Sequence, residues 1–326
     1  MRDKMSRRQA LAALAVPSLA LPLASWAQDY PSRPVRVVVP SVAGATVDNM
    51  ARNVSQSLAE RWGTPVVVDN KPGASSIIGS DAVAKSAADG YTLLFAAVTL
   101  VQIPHLFKKM PFDPMTSFTP IIQTGQAPVW FIVHKDVPAT TMKEFLALAR
   151  SQPGKYSFAS AGEGTTPHLY GEELSRQVGG SLLHVPYKGT APSLVDLLAG
   201  RVSSLFVNYS DVRQHVESGK LRALASTGPK RSRFTPEVPS LQEVGLQGFE
   251  TLSWTGFFAP AGTPPAVVQK VADDVRLATR KPEFQKRLEE LCVEEVDSNP
   301  ASFAATVKRD HAVWARIVAS AGVKLD

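Results

Sequence analysis

Three short loops of small and hydroxylated residues carry the groups best suited to chemistry in this sequence. They are Ser41-Val42-Ala43-Gly44-Ala45-Thr46, Pro72-Gly73-Ala74-Ser75-Ser76 and Ser160-Ala161-Gly162-Glu163-Gly164-Thr165-Thr166. Each follows an apolar run that reads as a strand and leads towards residues at helical spacing. A connection of this kind leaves unpaired N–H groups and hydroxyls at a helix N-terminus, which is a ready anion site. Strand ends are also where open α/β sheets bind ligands. The loops carry no arginine, so a carboxylate there would be held by peptide N–H groups, Ser and Thr hydroxyls and water. One such loop alone is an ordinary tight connection; three on facing lobes favour binding.

Catalytic signatures are missing. Gly73-Ala74-Ser75-Ser76-Ile77 approaches a nucleophile elbow but lacks the final glycine. The glycine-rich phosphate-binding patterns do not occur. The six histidines, His105, His134, His168, His184, His215 and His311, show no metal-ligand spacing. The expectation is therefore a binding protein with no catalytic residue, metal or cofactor. An enzyme assembled from residues distant in sequence stays open at this point.

The elements that must position these loops read as two series. Val35–Val39, Pro65–Asp69 and Tyr91–Phe95 form strands, separated by helices through Val47–Leu58 and Ile77–Ala87. A second series follows: strand Val129–His134, helix Thr141–Ser151, strand Tyr156–Ala159, helix Thr166–Val178, strand Leu183–Val185, helix Ala191–Ala199, and strands Val202–Val207 and Leu221–Ser226. Trp254–Phe258 then returns the chain, and helices over Pro264–Arg280, Pro282–Leu291 and Pro300–Ser320 close it. Alternation of this type predicts right-handed βαβ units and mostly parallel sheets. The expected organisation is two αβ lobes, residues 28–124 with 255–326 and residues 125–254, with crossovers near Thr124–Gln126 and Thr251–Thr255. A ligand cleft is expected between the lobes.

Bulk composition agrees with a globular protein. The 326 residues are 44% hydrophobic and 20% charged, enough apolar material for a real core. Of the net charge of +6, Arg2, Lys4, Arg7 and Arg8 against Asp3 contribute +3. No basic stripe of the kind that binds nucleic acid appears. Arg7 and Arg8 precede an apolar run, Ala10–Leu23, and then Ser25-Trp26-Ala27. This pattern predicts an export signal over residues 1–27, cleaved after Ala27. Ser6–Leu11 also resembles a twin-arginine signal, so the export route stays open. A membrane anchor fits less well, because the run falls short of the roughly 20 apolar residues that span a bilayer. Cys292 stands alone, which forbids an intramolecular disulfide and predicts a buried, packed thiol.

The chain resembles the Bug solute receptors, the substrate-binding subunits of tripartite tricarboxylate transporters, over nearly its whole length beyond residue 27. The resemblance runs through Tyr30-Pro31-Ser32-Arg33-Pro34, Asn70-Lys71-Pro72-Gly73-Ala74, Asp89-Gly90-Tyr91-Thr92-Leu93-Leu94 and Pro111-Phe112-Asp113-Pro114. It continues through Ala159-Ser160-Ala161-Gly162, His184-Val185-Pro186-Tyr187-Lys188-Gly189, Gly219–Ala225 and Phe258–Pro264. It implies a type II periplasmic-binding-protein fold, a Venus flytrap that closes on a small carboxylate and hands it to a membrane permease. A periplasmic sensor feeding a signalling partner is the alternative, and a monomer is expected. Carried over position by position, the ligand residues are Ser41, Val42, Ala43, Gly44, Ala45, Thr46, Thr99, Ser160, Ala161, Gly162, Thr165, Thr166, His168, Tyr187, Val207 and Asn208. His168 also reads as a cap or packing residue, and Tyr187-Lys188 as a turn. Three positions depart from the family. Ser41 stands where an aromatic is usual, and Ala45 where a second glycine is usual. Val207 stands where an aspartate is common, which points to a ligand without an α-amino group if Val207 lines the cleft, and to nothing if it lies behind it.

Overall fold

The computed structural model describes residues 30–325. The export signal and cleavage site expected over residues 1–27 lie outside the described residues. The chain first builds β1 (Val35–Val39), α1 (Thr46–Trp62), β2 (Val66–Asn70), α2 (Ile77–Ala84), β3 (Thr92–Ala97), the short α3 (Thr99–Gln102) and β4 (Phe118–Ala127). It then crosses over and builds β5 (Trp130–His134), α4 (Met142–Ser151), β6 (Ser157–Ser160), α5 (Thr166–Gln177), β7 (Leu183–Pro186), α6 (Thr190–Leu198), β8 (Ser204–Val207), α7 (Tyr209–Glu217) and β9 (Leu221–Ser226). It returns as β10 (Ser253–Pro260) and ends in α8 (Pro265–Thr279), α9 (Pro282–Leu291) and α10 (Pro300–Ala321).

Two five-stranded sheets result, ordered β2-β1-β3-β10-β4 and β7-β6-β8-β5-β9. Their plans match. In each, the strand that enters from the other half of the chain (β10 in the first, β5 in the second) runs antiparallel to both neighbours, while the other four strands share one direction. This is the mostly parallel, two-lobed α/β architecture that the alternation predicts. Parallel sheets need cover on both faces, and β1 shows it: Val35, Val37, Val38 and Val39 are fully buried. Because the parallel strands of each sheet point the same way, the loops after β1 and β2, and after β6, β7 and β8, gather at the C-terminal edge of their sheet. Those after β1, β2 and β6 are the loops proposed for chemistry.

Helix α10 ties the lobes together. Asn299 caps it through a reciprocal pair with Ser302, and Gly322 closes it at φ 69°, as expected from Asn299, Pro300 and Gly322. Its apolar stripe joins one continuous core with residues of both sheets, including Phe258 from β10 and Phe131 and Phe206 from the second sheet. Trp314 lies 5.0 Å from the Tyr170 ring of α5, centroid to centroid. Helix α5 sits close on β6 because Gly171 faces Phe158: a Cβ at that position would overlap the ring. Among the described residues, no helix is long and apolar enough to cross a membrane.

Three elements depart from the sequence expectation. Strand β4 contains Pro120 and Gly125 and pairs irregularly with β10, with register shifts near both, so it lacks a clean strand pattern. Helix α3 has four residues and too few positions for a period. Helix α7 is short and polar, with only Tyr209 and Val212 buried.

Candidate functional site

Three helix N-termini converge on one cavity of the second lobe. The loop after β6 leads into α5, the loop after β7 into α6, and Asn208 directly after β8 into α7. None of the three helices has a side-chain cap. The loop residue Ala161, the cap position Asn208 and the first-turn residues Thr166, Thr190 and Asp211 line a cavity of about 180 Å³ together with Val129, Val207 and Ser253. The backbone N–H groups of Ala161 and Thr166 carry no hydrogen bond among the described residues. Each helix end presents roughly half a positive charge. Uncapped donors of this kind, on residues lining one cavity, can hold a carboxylate without a cationic side chain.

The second loop is braced from behind. The Gly164 N–H donates to Nδ1 of buried His168 at 2.9 Å. The His168 ring stacks on His184 at 4.0 Å, which stacks on Phe158 at 4.8 Å. Nε2 of His184 lies 2.7 Å from the Ser160 hydroxyl. Burial, and then His168 alongside, pushes the His184 pKa down to about 4. The loop hydroxyls are largely spent inside the loop: Thr165 Oγ1 donates to Gly162 O at 2.6 Å, and Ser160 Oγ contacts Gly162 O. His168, Ser160 and Thr165 thus hold the loop's shape, and the free donors are backbone N–H groups. Ligand atoms of His168, Glu172 and His184 lie within 4.8 Å of one another, a spacing that could hold a metal. The chemistry of the set does not fit one. Because Nδ1 of His168 accepts the Gly164 N–H, Nε2 carries the proton and has no lone pair to give.

The first loop is built by the same logic. Buried Asp48 accepts the Gly44 N–H at 2.8 Å and also hydrogen bonds from Arg52 and Asn70. Burial alone would raise its pKa, but the hydrogen bonds from Arg52, Gly44 and Asn70 outweigh it and hold the carboxyl below its usual value. Gly44 adopts φ 84°, whereas Ala45 stays extended at φ −65°. The loop needs one left-handed residue and places it on glycine. Ser41 leaves its hydroxyl without a partner among the described residues, and Val42, Ala43 and Thr46 are exposed.

The structure thus gathers Ala161, Thr166, Val207 and Asn208 around one cavity, and does not bring Ser41–Thr46 or Thr99 to its wall. Thr99 opens α3, whose last residue, the fully buried Gln102, donates from Nε2 to Thr166 Oγ1 at 2.9 Å and so links α3 to α5 across the lobes. Tyr187 donates its hydroxyl to Asp196 at 2.7 Å; burial and that bond push its pKa up to about 12. Val207 is only 4% exposed yet forms part of the cavity wall. Sequence reasoning missed Gln102, Thr190 and Asp211. For Asp211 there was a usable pattern: Asn208 at a cap position, Tyr209, Val212 and Val216 at helical spacing, and Gly219 as a stop.

Residues 50–323 match the tripartite tricarboxylate transporter family receptor. A protein encoded in the tcbD-tcbE intergenic region of Pseudomonas sp. (strain P51) is 36% identical over 316 residues, covering 96% of this chain and 94% of its own. The structure of the periplasmic binding protein BugD superposes with a TM-score of 0.76 at 38% identity, over 90% of this chain and 99% of that one. Rpa4515 of R. palustris with adipate superposes at 0.78 with 33% identity, over 91% and 99%. The chain therefore belongs to the tripartite tricarboxylate transporter receptors, a family of solute-binding proteins rather than enzymes.

Proposed function

We propose that this protein captures a small carboxylate in the periplasm and delivers it to the membrane permease of a tripartite tricarboxylate transporter. The observation that carries the reading is the convergence of three uncapped helix N-termini on a single cavity. The carboxylate would accept from the N–H groups of Ala161 and Thr166 and from the first turn of α6. The adipate carried by the R. palustris relative supports the ligand class. Residues 28–124 with 255–326, and residues 125–254, would act as the two lobes. Closure would bring Ser41–Thr46 and Thr99 onto the bound ligand, so that the ligand stabilises the closed form by contacts the open form lacks.

Position 207 alone would argue against an α-amino group on the ligand, since valine cannot pair with an ammonium. Asp211, one helical turn on, supplies a carboxylate to the same cavity and removes that argument. Thermal shift of residues 28–326 against mono-, di- and tricarboxylates, aromatic acids and amino acids tests the function. A receptor is stabilised by mass action, by about 2.7 kcal/mol at a hundredfold excess over Kd. A protein that denatures without releasing a co-purified ligand, and that no acid in the panel stabilises, would refute the reading.

A further inference from the structure

Among the described residues, Asp211 is the only charged one lining the cavity. Its carboxylate has no hydrogen-bond or ion-pair partner among the described residues. The other lining groups near it, Thr166, Thr190, Asn208 and Ser253, are neutral. Asp211 retains more than a third of its surface through the open mouth, yet the walls around the carboxyl are close enough that burial raises its pKa, with no neighbouring charge contributing. Asp211 also occupies the first turn of α7, and its full negative charge more than offsets that helix's positive end. The three helix ends and Asp211 together leave about half a positive charge. One ligand carboxylate therefore brings the cavity near neutrality. A second would meet Asp211 with no cation to compensate it, and two carboxylates confined together cannot both stay ionised cheaply.

We infer that Asp211 is a specificity-determining residue that selects a monocarboxylate whose far end offers a hydrogen-bond donor, a hydroxyl or an ammonium, over the matched dicarboxylate. The inference rests on the cavity being the carboxylate site proposed above, and deepens it. A dicarboxylate would enter only by taking up a proton, shared between its distal carboxyl and Asp211.

The test is isothermal titration at pH 7.5, in two buffers of different ionisation enthalpy, with the mature wild-type protein and the Asp211→Asn and Asp211→Glu variants. The probes are succinate against 4-hydroxybutyrate and 4-aminobutyrate, and terephthalate against 4-hydroxybenzoate. In at least one series the wild type is expected to favour the donor-bearing monocarboxylate at least tenfold, and Asp211→Asn to cut that ratio at least tenfold, while Asp211→Glu retains it. The two arms of the first series identify hydroxyl or ammonium. Any dicarboxylate binding by the wild type should be accompanied by proton uptake that Asp211→Asn abolishes. Dicarboxylate binding as tight as that of its partner without proton uptake, or a smaller change in Asp211→Asn, overturns the assignment and leaves the receptor intact. Binding of none of the probes, by any of the three proteins, overturns the assignment, and the receptor reading is then judged on the wider acid panel.

Discussion

Acidification should weaken this protein through His184. The ring lies between Phe158 and His168 and supports the Ser160 hydroxyl, so its neutral form is built into the folded state. With the folded pKa at about 4, against an ordinary value of 6.5, the unfolded chain takes up this proton first. Stability from this group is complete above about pH 6.5 and falls as the pH drops towards 4. The slope is at most about 1.4 kcal/mol per pH unit, and the total loss at most about 3.5 kcal/mol. Glu163 and Glu172 oppose the effect by favouring the charged ring, which trims the loss but leaves its sign. Urea unfolding at pH 7, 6, 5 and 4.5 measures it, with His184→Phe as the reference because phenylalanine keeps the stack and removes the proton. The wild type should lose about 1–2 kcal/mol more than the variant between pH 7 and 5. Parallel pH profiles for the two proteins would refute the argument.

Other perturbations give distinct outcomes. Gly171→Ala should destabilise by about 1–3 kcal/mol through overlap with Phe158, although alanine is the better helix former by roughly 1 kcal/mol; a stabilised variant in thermal melts would contradict the close α5–β6 packing. Ser75 is exposed and sits at φ 51° between Ala74 and Ser76, which are also left-handed. Relieving it with Ser75→Gly should raise stability by about 0.5–1 kcal/mol, net of the flexibility glycine adds to the unfolded chain, as read by urea midpoints. Thr166→Val leaves the buried Gln102 amide without its partner across the lobes and should cost about 1–3 kcal/mol; Gln102→Leu on the same background should recover part of that loss in a double-mutant cycle.

Much of the fold was legible because its strands are buried on both faces and its longer helices carry stripes. Val35–Val39 and the capped, glycine-stopped α10 appear where their residues place them. Cys292 is fully buried as expected, although nothing in the sequence signals that Arg213 donates to its sulfur. The second ligand loop was legible as a loop, but its division of labour was not. Ser160, Thr165 and His168 look like ligand groups by type, and the structure turns their polar atoms inward to shape the backbone. That depends on ring stacking between residues 16 positions apart, which no local pattern encodes. For Asp211 the sequence signals only a short helix from Asn208 to Gly219; its place in the cavity depends on β8 lying beside β6, which no local pattern encodes.

The most direct test of the account is a crystal structure of the protein with whichever carboxylate gives the largest thermal shift. The account predicts one ligand carboxylate at the N-termini of α5 and α6, accepting from the N–H groups of Ala161 and Thr166, with the loop Ser41–Thr46 closed over it. A ligand seated elsewhere, or one whose carboxylate is held by arginine or lysine side chains, would contradict the account.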